Sequence, residues 1–511
     1  MLSIIIRVLL LMERLCEMGD LKRNSQNAES EEKKKCYLCK PIQWRHFELP
    51  PKLTKFLYSK INLVFVLIIA AIVYFLTFNQ PELVRKTLTT FVFAAGCWML
   101  EVFPLSITGL TIPVILTLLG VFNPSEAFAP FSNSIIFLMI GGLVLGQSIK
   151  KHGLDKWIGY NLLLYSKGKI DRLIMLVMAA TAFLSMWMSN TVAIAVILPV
   201  ILSILAAMPE ELVNLKRKLL LGVSISTSIG GTAMLTGSTP AMIAGALLGE
   251  TITFGFIEWA YYGLPVSLLI LATSFLLLKA LYPSPKITLN LDSIIEQKQQ
   301  IEKLNTTQKK IILIFLVTIM LWFMGSQFEF WLGLPTSLSN VAIVSVFAVL
   351  IMFGLNLLDI KDLQSIQWEL IFLVGGGILL GEAMIVSGAA SGISSAIASM
   401  QGSASTILII IVLSLISLLL TNFISNSATA AILIPIAIET ANILQMTPVP
   451  FVMAVALTAT IAFITPVGVP STALIYSTGI IPRSRLIKTG ILAAIPALLI
   501  VLAVVYFFPV F

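Results

Sequence analysis

Apolar residues gather in long runs along this chain, separated by short polar stretches, and do not alternate with polar residues as membrane strands would. A segment such as INLVFVLIIAAIVYFLTF (61–78) is long enough, at about 1.5 Å per helical residue, to cross a hydrocarbon core about 30 Å thick. Eleven spans can be drawn, near 61–78, 87–103, 106–122, 134–149, 219–249, 260–281, 311–327, 338–358, 368–387, 451–480 and 489–510. The polar segment PSPKITLNLDSIIEQKQQIEKLNTTQKK (283–310) divides them, giving a first membrane half (61–282), a cytoplasmic linker and a second half (311–511). The pattern predicts an all-α polytopic membrane protein.

The two halves repeat. IIFLMIGGLVLGQSIKKHG (135–153) matches LIFLVGGGILLGEAMIVSG (370–388) at an offset of 235, pairing Phe137 with Phe372, Gly142 with Gly377, Gly146 with Gly381 and Gly153 with Gly388. SNTVAIAVILP (189–199) then matches SNSATAAILIP (425–435) at an offset of 236. Shared glycines and polar triplets in register point to an internal duplication.

Charge orients the copies. Lys167, Lys169 and Arg172 precede the first triplet, and Lys216, Arg217 and Lys218 follow it, so both ends of that segment are expected in the cytoplasm. Between Asp362 and Pro482 there is no Lys or Arg. The copies are therefore expected to face opposite ways, as an inverted-topology repeat with the N-terminus inside and the C-terminus outside. Residues 173–208 carry no charge, and the stretch before Ser189 reaches only about 24 Å as a helix, enough to approach the midplane without crossing. Reentrant helical hairpins at 173–208 and 404–445, tipped by the triplets, satisfy both constraints; irregular backbone at that depth must be buried in protein or line a cavity.

The tips suggest ion chemistry. Ser189, Asn190 and Thr191 begin the second arm of one hairpin and Ser425, Asn426 and Ser427 that of the other, where free N–H groups and the helix dipole favour an anion. Ser, Asn and Thr are equally good N-caps, so two well-capped buried helices is the plainer reading of the same residues. Ser185 and Thr421 each lie one turn earlier, adding hydroxyls that suit sodium. Downstream, SISTSIGGTAMLTGSTP (224–240) and TATIAFITPVGVPST (458–472) place glycine, proline and hydroxyls inside apolar spans, the signature of broken helices. Glu101, Glu369, Glu382 and Glu439 fall near span ends and are expected to be interfacial or structural, away from the tips.

Composition narrows the class further. The chain is 58% hydrophobic and 11% charged, against about 25% charged in soluble domains. Residues 1–60 hold 12 Lys/Arg against 7 Asp/Glu, which reads as a basic cytoplasmic tail obeying the positive-inside rule rather than a nucleic-acid surface. MLSIIIRVLLLM is too short to span, and Met12 and Met18 are alternative starts. Cys36 and Cys39 lack the further ligands of a structural zinc site, and two histidines leave little material for a metalloenzyme. No enzymatic activity is expected.

Together, WMLEVFPLSITGL (98–110), both GG-containing helices, both SN tips and both broken helices resemble the divalent anion:sodium symporter family, over residues 60–511. This family of sodium-coupled dicarboxylate, citrate and sulfate carriers belongs to a wider ion-transporter superfamily. The resemblance implies a lipid-embedded homodimer, in plasma or inner membrane, whose transport domain slides as an elevator along a scaffold. It implies one sodium around Ser185, Ser189, Asn190 and the Gly237 backbone, and a second around Thr421, Ser425, Asn426 and the Gly468 backbone. It implies an anion between the tips, touching Ser189, Asn190, Thr191, Ser425, Asn426 and Ser427, with Ser238, Thr239, Val469 and Pro470 of the broken helices beside it. Sodium ions are co-transported, with no organic cofactor. Where such carriers usually read GTPPN, this chain has Gly237-Ser238-Thr239-Pro240-Ala241 and Gly468-Val469-Pro470-Ser471-Thr472, without the asparagines. The expected function is secondary active transport of a small divalent anion, such as succinate or sulfate. Proton coupling, anion exchange and an anion channel stay open.

Overall fold

The computed structural model describes residues 51–284, 304–333, 340–398 and 406–508, apart from positions 155–156, 159–160, 162–164, 168, 209, 250–251, 253 and 467. The cysteine pair of the tail and most of the 283–310 linker lie outside the described residues. Phe56–Phe511 forms one compact unit.

The described residues form helices and no β-strand. Apolar side chains exclude water from the backbone, and the helix satisfies its polar groups internally. The first half contains α1 (Pro51–Leu76), α2 (Glu82–Met99), α3 (Leu105–Leu118), α4 (Pro124–Phe128), α5 (Ser134–Lys151), α6 (Ile170–Trp187), α7 (Asn190–Ala207), α8 (Val213–Ala233), α9 (Thr239–Gly249) and α10 (Phe256–Leu281). The second contains α11 (Thr306–Leu332), α12 (Val341–Gly354), α13 (Ile360–Gln364), α14 (Glu369–Val386), α15 (Ala389–Ala398), α16 (Thr406–Thr421), α17 (Asn426–Ile443), α18 (Val449–Ala459), α19 (Pro470–Tyr476) and α20 (Arg483–Phe507).

Helix boundaries recur between the halves: α3, α4 and α7 reappear as α12, α13 and α17 shifted by 236 residues, and α5 starts 235 before α14. Among the described residues, six helices are long and apolar enough to cross a membrane, within Ser134–Lys151, Ile170–Trp187, Phe256–Leu281, Thr306–Gly325, Glu369–Val386 and Arg483–Phe507. Several other spans drawn from hydropathy are shorter helices. The 219–249 span breaks between Ala233 and Thr239, and the 451–480 span between Ala459 and Pro470.

Packing exchanges the halves. α3 lies on α14, and its repeat counterpart α12 lies on α5. Small residues let these backbones touch: a Cβ on Gly109 would come within 2.3 Å of the Phe372 carbonyl, and one on Gly141 within 2.5 Å of Ser345 Cβ. Such contacts matter where lipid supplies little hydrophobic drive for helix association. Around a second centre, α6 and α10 pack on α8, while α16, α17 and α20 pack on α18.

Polar contacts tie the ends of these helices to their neighbours. Lys218 Nζ, fully buried near the start of α8, binds Asp171 in the first turn of α6 at 2.8 Å and Ser284 Oγ at 2.8 Å. In the second half, Thr406 Oγ1 at the start of α16 meets Met446 Sδ, just past α17, at 3.6 Å.

Candidate functional site

Short loops set the tips. Met188 and Ser189 join α6 to α7, and Ser189 takes the N-cap with φ −58° and ψ 148°, its oxygen accepting from Val192 N at 3.4 Å. Ser425 caps α17 with φ −64° and ψ 147°, accepting from Ala428 N at 3.2 Å. Asn190 and Thr191, like Asn426 and Ser427, then occupy the first helical turn, whose N–H groups have no intrahelical acceptor. The broken helices contribute two more starts. α9 opens at Thr239 with Pro240 next, and α19 opens at Pro470, positions where proline's missing N–H costs nothing.

All four N-termini line one cavity of about 400 Å³, through Ser189–Thr191, Ser425–Ser427, Gly237–Pro240 and Gly468–Pro470. No Lys or Arg is among its described lining residues. Positive charge there comes from helix dipoles and backbone N–H groups, an arrangement that binds anions. Ser238 is buried on this lining, and its hydroxyl has no hydrogen-bond partner among the described residues.

Behind each tip the structure gathers oxygen atoms closely. Ser185 Oγ, fully buried, lies 2.7 Å from both Asn190 Oδ1 and Thr227 O, so its single proton faces two acceptors. Glycine makes the approach possible, since a Cβ on Gly231 would fall 2.4 Å from Asn190 Oδ1 and 2.7 Å from Gly237 O. The second tip repeats the motif, with Thr421 Oγ1 2.8 Å from the Asn426 amide and hydrogen-bonded to Ala459 O. Turned one way, the Asn426 amide nitrogen donates to Gly468 O at 3.3 Å, Ala459 O at 3.2 Å and Thr421 Oγ1 at 2.8 Å. Turned the other way, its oxygen joins those three as a set of oxygens that a small hard cation can bridge. Both clusters therefore fit a small hard cation.

Two acids expected away from the tips are found with them. Glu101 and Glu369 line the same cavity, as do Gln367, Leu105, Leu143, Leu370 and Leu373. Glu101 follows α2 with φ 48°, in the left-handed region that side chains other than glycine rarely enter. Glu369 opens α14, where the helix dipole offsets its charge. Helix boundaries explain the misplacement: α2 and α14 meet the cavity with their ends, so residues at span ends reach the site. Gln367, which gave no signal in the sequence, accepts a hydrogen bond from Ser189 Oγ. Asn422 is a second such residue. Its amide bonds Ile461 O at 3.1 Å and Ile464 N at 3.0 Å, satisfying backbone freed by the break after α18.

A family model described as citrate transporter matches residues 95–454 and 341–511. An uncharacterised transporter of Methanocaldococcus jannaschii is 33% identical over 410 residues, covering 78% of this chain and 89% of that one. The sodium-dependent dicarboxylate transporter SdcS of Staphylococcus saprophyticus is 26% identical over 441 residues, covering 81% and 84%. In fold, the chain is similar to the YdaH transporter of Alcanivorax borkumensis, with a TM-score of 0.51 at 14% identity, covering 77% of this chain and 87% of that one.

Proposed function

The chain belongs to the citrate transporter family, an integral multi-pass membrane carrier rather than an enzyme, and from that premise we propose that it is a secondary active carrier of a small di- or tricarboxylate, coupled to sodium. The observation that carries this reading is the cavity itself. Four helix N-termini meet there with no basic side chain among the described lining residues, and an oxygen cluster stands behind each tip.

In this mechanism, sodium fills the cluster of Ser185, Asn190 and the Gly237 backbone, and a second sodium that of Thr421, Asn426 and the Gly468 backbone. Each ion orients its asparagine and brings positive charge beneath the tip. The anion then binds N–H groups and hydroxyls of Ser189, Asn190, Thr191, Ser425, Asn426 and Ser427, with Ser238, Thr239, Val469 and Pro470 completing its floor. Without the cations, nothing but dipoles balances its charge, so binding is cooperative with sodium. The hairpins reenter on opposite sides of the membrane and travel with the broken helices as an elevator in each subunit of a homodimer.

The two wall carboxylates favour a second reading, in which protons replace sodium. Glu101 and Glu369 repel an anion when ionised and carry a proton when not. Uptake of succinate, citrate and sulfate into proteoliposomes, with sodium or choline outside, separates the two. Sodium-driven accumulation of a carboxylate against its gradient supports the first reading. Indifference to choline with dependence on a proton gradient supports the second, and passive flux alone overturns both.

A further inference from the structure

Two groups of helices line the cavity and also pack on each other directly, as α14 does on α9 and α17. The wall group includes α3, α5, α12 and α14, interlocked at Gly109 and Gly141; the tip group includes α6 to α10 and α16 to α20. Polar side chains of the tip group bond within it: Ser224 Oγ to Thr472 Oγ1 at 2.9 Å, Thr232 Oγ1 to Thr460 Oγ1 at 2.8 Å, and Tyr282 OH to Thr489 Oγ1 at 3.0 Å. Ser189 is different. Its hydroxyl reaches out of the tip group and donates to Gln367 Oε1, just ahead of α14.

A serine hydroxyl has one hydrogen and two lone pairs. One lone pair of Ser189 already accepts from Val192 N. The hydrogen, committed to Gln367, is the part an anion needs. Anion and Gln367 therefore cannot both hold Ser189 as acceptors. Resting on the anion-carrier reading above, we propose that Gln367 is a specificity-determining residue that competes with the transported anion for the Ser189 hydroxyl, and that anion binding releases the first tip from the wall.

The competition sets an affinity threshold. A ligand must offer Ser189 a better acceptor than a neutral amide oxygen, and a carboxylate does, because hydrogen bonds to charged acceptors are about twice as strong as neutral ones. A neutral ligand of the same shape has no such advantage and leaves the tip held. Cations are not excluded by the bond, since they use oxygen lone pairs rather than the hydrogen.

Removing the competitor should tighten anion binding. Gln367→Met keeps side-chain length and removes the amide; Gln367→Ala removes it by truncation. Binding of citrate and succinate to purified, sodium-loaded protein, measured by calorimetry, should tighten about 2- to 10-fold in both variants, the size of one net hydrogen bond. Gln367→Glu keeps an acceptor and adds like charge, and should weaken binding. General structural damage weakens binding and does not produce a gain. If wild type binds and both neutral variants bind no tighter, the inference is overturned while the carrier reading stands. If wild type binds no anion of the panel, the carrier reading falls and this inference with it.

Discussion

The Ser185 hydroxyl lies 2.7 Å from the Asn190 amide oxygen, five residues along the chain and across the tip that separates α6 from α7. Thr421 stands in the same relation to Asn426, at 2.8 Å. Sites built from neutral oxygens depend on ligand number and geometry, so losing one ligand weakens them without unfolding the protein. Asn190→Ala and Asn426→Ala should each raise the sodium concentration for half-maximal uptake at least about 10-fold, or abolish uptake, with unchanged elution on size exclusion. Thr191→Ala should instead act on anion affinity. Sodium titrations of uptake check both, and an unchanged half-maximal sodium concentration in both asparagine variants would sink the assignment.

Glu369 places a carboxylate on the wall of a cavity read as taking anions. Because it is exposed to that cavity, salt screens its effect. Glu369→Gln should tighten anion binding several-fold at low ionic strength, with the gain shrinking as salt rises. If protons rather than sodium drive uptake, the same variant should bind anion but fail to accumulate it under a proton gradient. Binding and accumulation measured on one preparation distinguish these outcomes.

Gly109→Ala would put a methyl group 2.3 Å from the Phe372 carbonyl, an approach that backbone on both sides resists. Overpacking of this kind costs about 1–3 kcal/mol. The variant should lower the melting temperature of the detergent-solubilised protein and its transport rate, while sodium affinity in the surviving fraction stays unchanged. A melt identical to wild type would show that α3 and α14 separate more easily than their packing indicates.

If the hairpins enter from opposite faces, a cysteine at Met446, beside the base of the second, should react with an impermeant thiol reagent from outside, and one at Lys216 only from inside. Labelling of both from the same side would refute the inverted arrangement.

Much of the site was readable because polar residues are conspicuous in apolar runs. Ser189 to Thr191 and Ser425 to Ser427 stand out for that reason, and so do the glycine and proline interruptions now seen as the gaps before Thr239 and Pro470. Gln367 and Glu101 were hidden by the opposite circumstance. Polar residues near the end of an apolar run look like ordinary interfacial ones, and their place on the cavity depends on how far each helix penetrates. Asn422 was hidden differently, because its partners Ile461 and Ile464 lie some 40 residues away and exist only once α18 has ended. Helix length was the least legible property: apolar runs of similar length became a 26-residue α10 and 14-residue α3 and α12.

The contact between Gly109 and the Phe372 carbonyl has a counterpart at Gly376, where a Cβ would fall 2.4 Å from the Gly109 carbonyl. Two backbones that touch in this way behave as a single beam. Leu370 and Leu373, on the cavity side of that beam, cannot retreat to admit a bulkier cargo. The size limit on what passes must then be adjusted by the tips alone, and a change of selectivity between short and branched acids should come from exchanges at Thr191, Ser427 or Val469 rather than from any change along α14.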